Sequence, residues 1–215
     1  MNKWIWIAGG IIISAAFLAW LFIESTKPLP GQKQALECDN LADFSKLGGE
    51  DISDKCRAHV PAGTGVNYLT NPPTMGPHYA DWVRAGVYSE PKDDRNMVHS
   101  LEHGYVILSF KCKVQSAKLG EATGSGEASG SGRMDTQAEC DVRKTQLEGI
   151  FNKKGKKKLI VVPRPNLDTN FALTAWQYID KFDPSAGSGL SVSDMGRIEK
   201  FIDTHRDNGP EKTME

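Results

Sequence analysis

Residues Trp4 to Ile23, WIWIAGGIIISAAFLAWLFI, run for twenty positions without a charged side chain. That is the length an α-helix needs to cross a hydrocarbon core. Trp4, Trp6 and Trp20 lie near its ends, where indole rings favour the membrane interface. Whatever folds independently in this chain must therefore lie beyond this run. The run exceeds the apolar core of a signal peptide, about 7–15 residues, and no cysteine follows before Cys38. It reads as a retained anchor rather than a cleaved leader. The expected organisation is a transmembrane anchor over 1–24, a tether over 25–37, one extracytoplasmic domain over 38–211 and a tail over 212–215. Within that domain, 113–139 is expected to form a flexible insertion. Its centre, GEATGSGEASGSG at 120–132, has too little apolar surface to order itself.

The four cysteines, Cys38, Cys56, Cys112 and Cys140, all follow the anchor, and none forms a C-x-x-C pair. An even number without zinc-ribbon spacing predicts two sequential bridges, Cys38–Cys56 and Cys112–Cys140. Such bridges belong in an oxidising compartment, which puts the bulk of the chain outside the cell membrane. The formal net charge is −1, so no broad basic surface argues for nucleic acid. The one basic cluster, Lys153-Lys154-Gly-Lys156-Lys157-Lys158, reads as a solvated turn, with contact to anionic lipid as the alternative.

Periodicity predicts an α+β domain. Tyr105 to Phe110 (YVILSF), Leu159 to Val162 and Phe171 to Ile179 read as strands. Asp39 to Leu47 reads as a short helix. Asp141 to Asn152 reads as a second, with Val142, Leu147, Ile150 and Phe151 inward. A last helix is expected to be capped by Ser193 and to end at Asn208-Gly209. This order suits a small sheet with helices on one face, ferredoxin-like being the candidate topology. Between Arg57 and Tyr88 prolines and glycines are too frequent for a long element, which predicts an ordered loop layer.

Two segments concentrate the chemistry: Asn71-Pro-Pro-Thr-Met-Gly-Pro-His-Tyr79 and Met97-Val-His-Ser-Leu-Glu-His-Gly104. His99 and His103 are one helical turn apart and can face one ion. Pro72, Pro73 and Pro77 stiffen the loop that presents His78. Imidazoles suit zinc, copper or nickel, and Met75 and Met97 would add the thioethers that favour copper. With Glu102 the second segment spells H-x-x-E-H, the inverted zinc-peptidase pattern. That motif needs a sustained helix, however, and here Gly104 and a strand follow at once. If one ion is shared, the ring nitrogens of His78, His99 and His103 must converge to within about 4 Å. Glu102 or Glu211 would then support a ligating ring from behind.

These motifs, with His59-Val-Pro-Ala-Gly, Gly86-Val-Tyr88, Leu173-Thr-Ala-Trp176 and Gly209-Pro-Glu211, resemble the bacterial family catalogued as domain of unknown function 3105. The resemblance spans about Ala58 to Glu211. It implies a membrane-anchored or secreted domain without an agreed activity, and it adds His59 as a fourth candidate ligand. The family usually has serine where this chain has Met75, and the Gly/Ser insertion with its flanking cysteines is an elaboration. The function expected is a membrane-anchored, envelope-facing protein with a copper or zinc site built from His59, His78, His99 and His103. Met75 and Met97 would be auxiliary ligands, and the role metal handling or metal-assisted oxidation. The alternative is a disulfide-stapled module that meets an envelope protein partner and binds no metal. A hydrolase using Glu102 as base is a third reading.

Overall fold

Strands buried on both faces lose the apolar–polar alternation and read as continuous apolar runs, and YVILSF and LIVVP are such runs. The computed structural model describes residues 13–20, 30–34, 55–113, 135–184, 187 and 189–214. It divides into a unit over 1–30 and a unit over 31–215. In the first, residues 13–20 form a helix, α1, with Ile13, Phe17, Leu18 and Trp20 exposed. The rest of the expected anchor lies outside the described residues, and among those described no helix is long and apolar enough to cross a membrane. The expected helix over Asp39 to Leu47, Cys38 and the Gly/Ser stretch at 120–132 are also outside them.

The second unit is an α+β domain around a six-stranded mixed sheet. Its strands are β1 (Gln32–Lys33), β2 (Gly86–Val87), β3 (Val106–Phe110), β4 (Leu159–Pro163), β5 (Phe171–Ala175) and β6 (Tyr178–Phe182), in spatial order β1-β6-β5-β3-β4-β2. The helices are α2 (Asp94–Glu102), α3 (Gln137–Lys153) and α4 (Val192–His205). β3 and β4 are direct parallel neighbours, with α3 between them in the chain. A ferredoxin-like fold needs a split βαβ unit. This unit is unsplit, which corrects that expectation.

The helices also occupy both faces of the sheet, not one. Val106, Leu108 and Phe110 point toward Leu147, Ile150 and Phe151 of α3 and Ile198, Phe201 and Ile202 of α4. Ile107, Ile160 and Val162 pack on Met97 and Leu101 of α2. The sheet is thus a middle layer, and α2 with the proline-rich loops forms the layer that carries the histidines.

Several boundaries differ from expectation for local reasons. The stretch read as one strand over Phe171 to Ile179 is a hairpin. Ala175 pairs with Tyr178, and Gln177 sits at φ 66° in the turn. Val142 is 44% exposed, because the buried positions of α3 are Cys140, Arg143, Leu147, Ile150 and Phe151. That helix begins at Gln137, capped by Thr136 with Glu139 reciprocating. Ser191, not Ser193, caps α4 with Asp194 in the same capping-box arrangement. The helix stops at His205, whose ring is buried against Tyr178 and Phe201.

The lysine cluster is engaged with carboxylates. Lys153 pairs with Glu199 at 2.6 Å, Lys154 with Asp203 at 2.7 Å and Lys158 with Asp207 at 2.9 Å. Lys158 is 2% exposed and also donates to the Thr213 carbonyl at 2.8 Å. The Cys112–Cys140 bridge is formed, with Cα atoms 5.3 Å apart. Cys56 is buried at 3% exposure.

Candidate metal centre

Three pieces of chain meet at the histidines. The first contact is a short parallel bridge between His59 and His78, in which Val60 N–H donates to the His78 carbonyl at 2.8 Å and His78 N–H to the Ala58 carbonyl at 3.0 Å. This strap sets the two rings 5.1 Å apart between centroids. The second piece is α2, capped by Asp93, whose side chain accepts from Arg95 N–H. Met97 and Leu101, four apart, face the sheet, so His99 projects from another side of the helix. His103 is the C-cap, and Gly104 at φ +80° turns the chain into β3. The third is the C-terminal segment. Asp207 N–H donates to the Gly104 carbonyl at 2.9 Å, and Glu211 N–H to the Glu102 carbonyl at 3.1 Å. Gly209 runs so close that a Cβ there would lie 2.1 Å from the Glu102 carbonyl oxygen.

The rings converge. His99 lies 4.9 Å from both His59 and His78 and 4.5 Å from His103, centroid to centroid. His59, His78, His99 and Glu102 each offer a ligand atom within 4.8 Å of one another, and so do His99, His103 and Glu211. His99 is common to both sets. His78, His99, Glu102 and His103 are 0%, 4%, 2% and 4% exposed, so this is an interior site.

The outer hydrogen bonds fix which nitrogens face inward. His78 Nδ1 is 2.7 Å from the Gly76 carbonyl, and His99 Nδ1 is 2.8 Å from the Tyr79 carbonyl. A carbonyl only accepts, so each Nδ1 carries a proton and Nε2 is the nitrogen that faces the cluster. Carbonyl-anchored imidazoles are the usual support of metal-ligating histidines. Burial first, then the His78 charge, pushes His99 down to about 4. At neutral pH it is therefore a neutral imidazole, the form that can ligate a metal.

The inward atoms are closely spaced. His99 Nε2 and His103 Nε2 are 3.0 Å apart. His78 Nε2 and Glu102 Oε2 are 2.8 Å apart. Two donors on one tetrahedral ion, each about 2.0–2.2 Å from it, stand about 3.3–3.6 Å from each other, so both pairs sit at hydrogen-bond distance and would open slightly around an ion. Glu102 is also held by the Arg57 guanidinium Nε on Oε1. Burial works to raise the Glu102 carboxyl, but its bonds to His78 and Arg57 outweigh it and hold the group below its ordinary value.

Two sequence-selected residues pack in apolar clusters. Met75 packs with Cys56 and Trp176, and Met97 lies in the apolar cluster with Val83, Leu101 and Tyr105. Both thioethers are buried among these neighbours. Glu102 and Glu211 stand beside the rings as expected, with Glu211 Oε2 3.6 Å from His103 Nε2. Three contributors were not selected from the sequence: Arg57 and the carbonyls of Gly76 and Tyr79. Backbone acceptors leave no mark in a sequence, and Arg57 sits 45 residues from Glu102. Trp82 lies edge-on to His103 at 4.7 Å and near His99 at 5.4 Å.

Residues 59–128 match the family model described as a protein of unknown function, DUF3105. The matched stretch holds all four histidines of the cluster and Glu102, while Glu211 falls beyond it. No curated protein matches the chain, and no solved structure does.

Proposed function

We propose that this chain, with its DUF3105 match over 59–128, is a metal-handling protein that holds one transition-metal ion between His59, His78, His99 and Glu102, next to His103 and Glu211. The observation that carries the reading is the pair of Nδ1-to-carbonyl bonds at His78 and His99. They leave both Nε2 atoms turned inward, that of His78 toward the buried Glu102 carboxylate and that of His99 toward His103. In a metal-free neutral site, the lone pair of His78 would face the charged Glu102 oxygen at 2.8 Å. A cation between them, or a second proton on the ring, relieves that contact. Imidazole and carboxylate donors suit zinc or copper(II). Redox chemistry would be open to copper alone, since zinc has no accessible second oxidation state.

Elemental analysis of the full-length chain, purified without chelator, is expected to find about one zinc or copper ion per chain, as four protein donors specify. A folded chain carrying no metal, and taking up none from zinc or copper(II) salts, overturns the reading. It would favour the disulfide-stapled interaction module instead.

We further propose that the domain works outside the cytoplasm, tethered by the apolar run over 4–23 and meeting an envelope protein partner, not nucleic acid. The uncharged run and the Cys112–Cys140 bridge support this, because such bridges persist in oxidising compartments. Alkylation of thiols in intact cells before lysis should leave Cys112 and Cys140 unmodified and joined. Labelling of both as free thiols would sink the placement.

A further inference from the structure

The two donor sets differ in their access to water. The first is closed at three of its four members, His78, His99 and Glu102, which are at most 4% exposed. The second reaches the surface through Glu211, whose side chain is 46% exposed while the His103 beside it is 5% exposed. Because His99 belongs to both sets, an ion held by His103 and Glu211 already touches a ligand of the inner set. It can move inward by exchanging one donor at a time, without returning to water.

The segment that carries Glu211 is held for this position. Its backbone is bonded to the Glu102 carbonyl at 3.1 Å and the Gly104 carbonyl at 2.9 Å. The buried Lys158 grips the same segment at Asp207 and at the Thr213 carbonyl. The carboxylate itself is left at 3.6 Å from His103 Nε2, longer than a hydrogen bond. The backbone is therefore fixed and the carboxylate can swing between water and the site.

From this arrangement we infer that His103 and Glu211 form an entry station that captures the ion at the surface and passes it to the inner set through His99. The inference rests on the proposed metal site and concerns the rate of loading. His59, which is only partly buried, offers the competing entrance. The two routes predict different variants to be slow.

The test is cobalt(II) loading of metal-stripped full-length chain, followed by its d–d absorption, with EDTA-driven release measured separately. E211Q keeps the size and the backbone bonds of Glu211 but removes its charge. Loading and release are expected to slow together by about tenfold or more, with affinity changed much less than the about 10–100-fold typical of losing a supporting partner. Wild-type loading kinetics in E211Q would overturn the inference. So would a loss of affinity arising wholly from faster release, which would make Glu211 an ordinary ligand. If the wild-type chain binds no cobalt at all, it is the metal site itself that fails. Thermal unfolding of metal-stripped E211Q at the wild-type temperature will show that the variant is folded.

Discussion

Replacing His99 with alanine is expected to abolish stoichiometric metal binding while the domain stays folded. His99 is the donor common to both sets, so no other single imidazole removes as much. The loss of affinity should go well beyond the about 10–100-fold that follows removal of an outer partner. Stability should fall as well, because the Tyr79 carbonyl loses its 2.8 Å donor, at a cost of about 1–3 kcal/mol for a group left unsatisfied. H205A makes the control. His205 is equally buried but packs on Tyr178 and Phe201. Its loss should lower the unfolding temperature and leave metal binding intact. Calorimetric titration of stripped protein with zinc reads both variants. H99A with near-wild-type affinity would refute the shared-ligand geometry.

The proposed function depends on contacts that differ greatly in how they show in a sequence. The pair His99 and His103 was legible, because four-residue spacing on a helix is a local rule and α2 runs to Glu102 with His103 as its cap. His78 was legible from the proline frame around it. The three central strands were legible as apolar runs. Their pairing was not: the parallel β3–β4 contact depends on long-range packing, and the layer built by α2 is set by which faces of the sheet remain uncovered. Met75 and Met97 illustrate a related point. Thioethers near histidines suggest ligands, yet Met97 stands two positions from His99, about 200° around a helix of 3.6 residues per turn. Only one of the two could face the cluster, and the apolar side chain took the sheet side. The Asn71 to Tyr79 loop could be recognised as ordered, but its bridge to His59 is a backbone contact between segments with no strand pattern. Motif resemblance was the only route by which sequence pointed to His59. Glu211, one residue beyond a Gly-Pro pair, was named from the sequence only as a support for a ligating ring. Its place follows from Gly209, whose missing Cβ allows the chain to press against the Glu102 carbonyl.

Glu102 is where stability and metal binding meet, and E102A is expected to have the largest effect on unfolding. Its carboxylate is 2% exposed and sits between Arg57 and the fully buried His78. Removing one member of a buried charged group costs about 3–5 kcal/mol, because the remainder is left uncompensated. Arg57, 37% exposed, can turn to water, so the low end of that range applies to the metal-free chain. The Glu102 carboxyl is held below its ordinary value. Its contribution is therefore present above the unfolded carboxylate range and fades as pH falls through the lower folded value. The difference between wild type and E102A should accordingly shrink on acidification. Metal should widen it. At a free ion concentration of about 100 times the dissociation constant, wild type gains about 2.7 kcal/mol from binding, and a variant lacking one inner donor gains much less. Unfolding of both chains, stripped and with added zinc, measures this directly. If zinc raises the unfolding temperature of E102A as much as that of wild type, Glu102 serves the fold alone, and the ion is held without it.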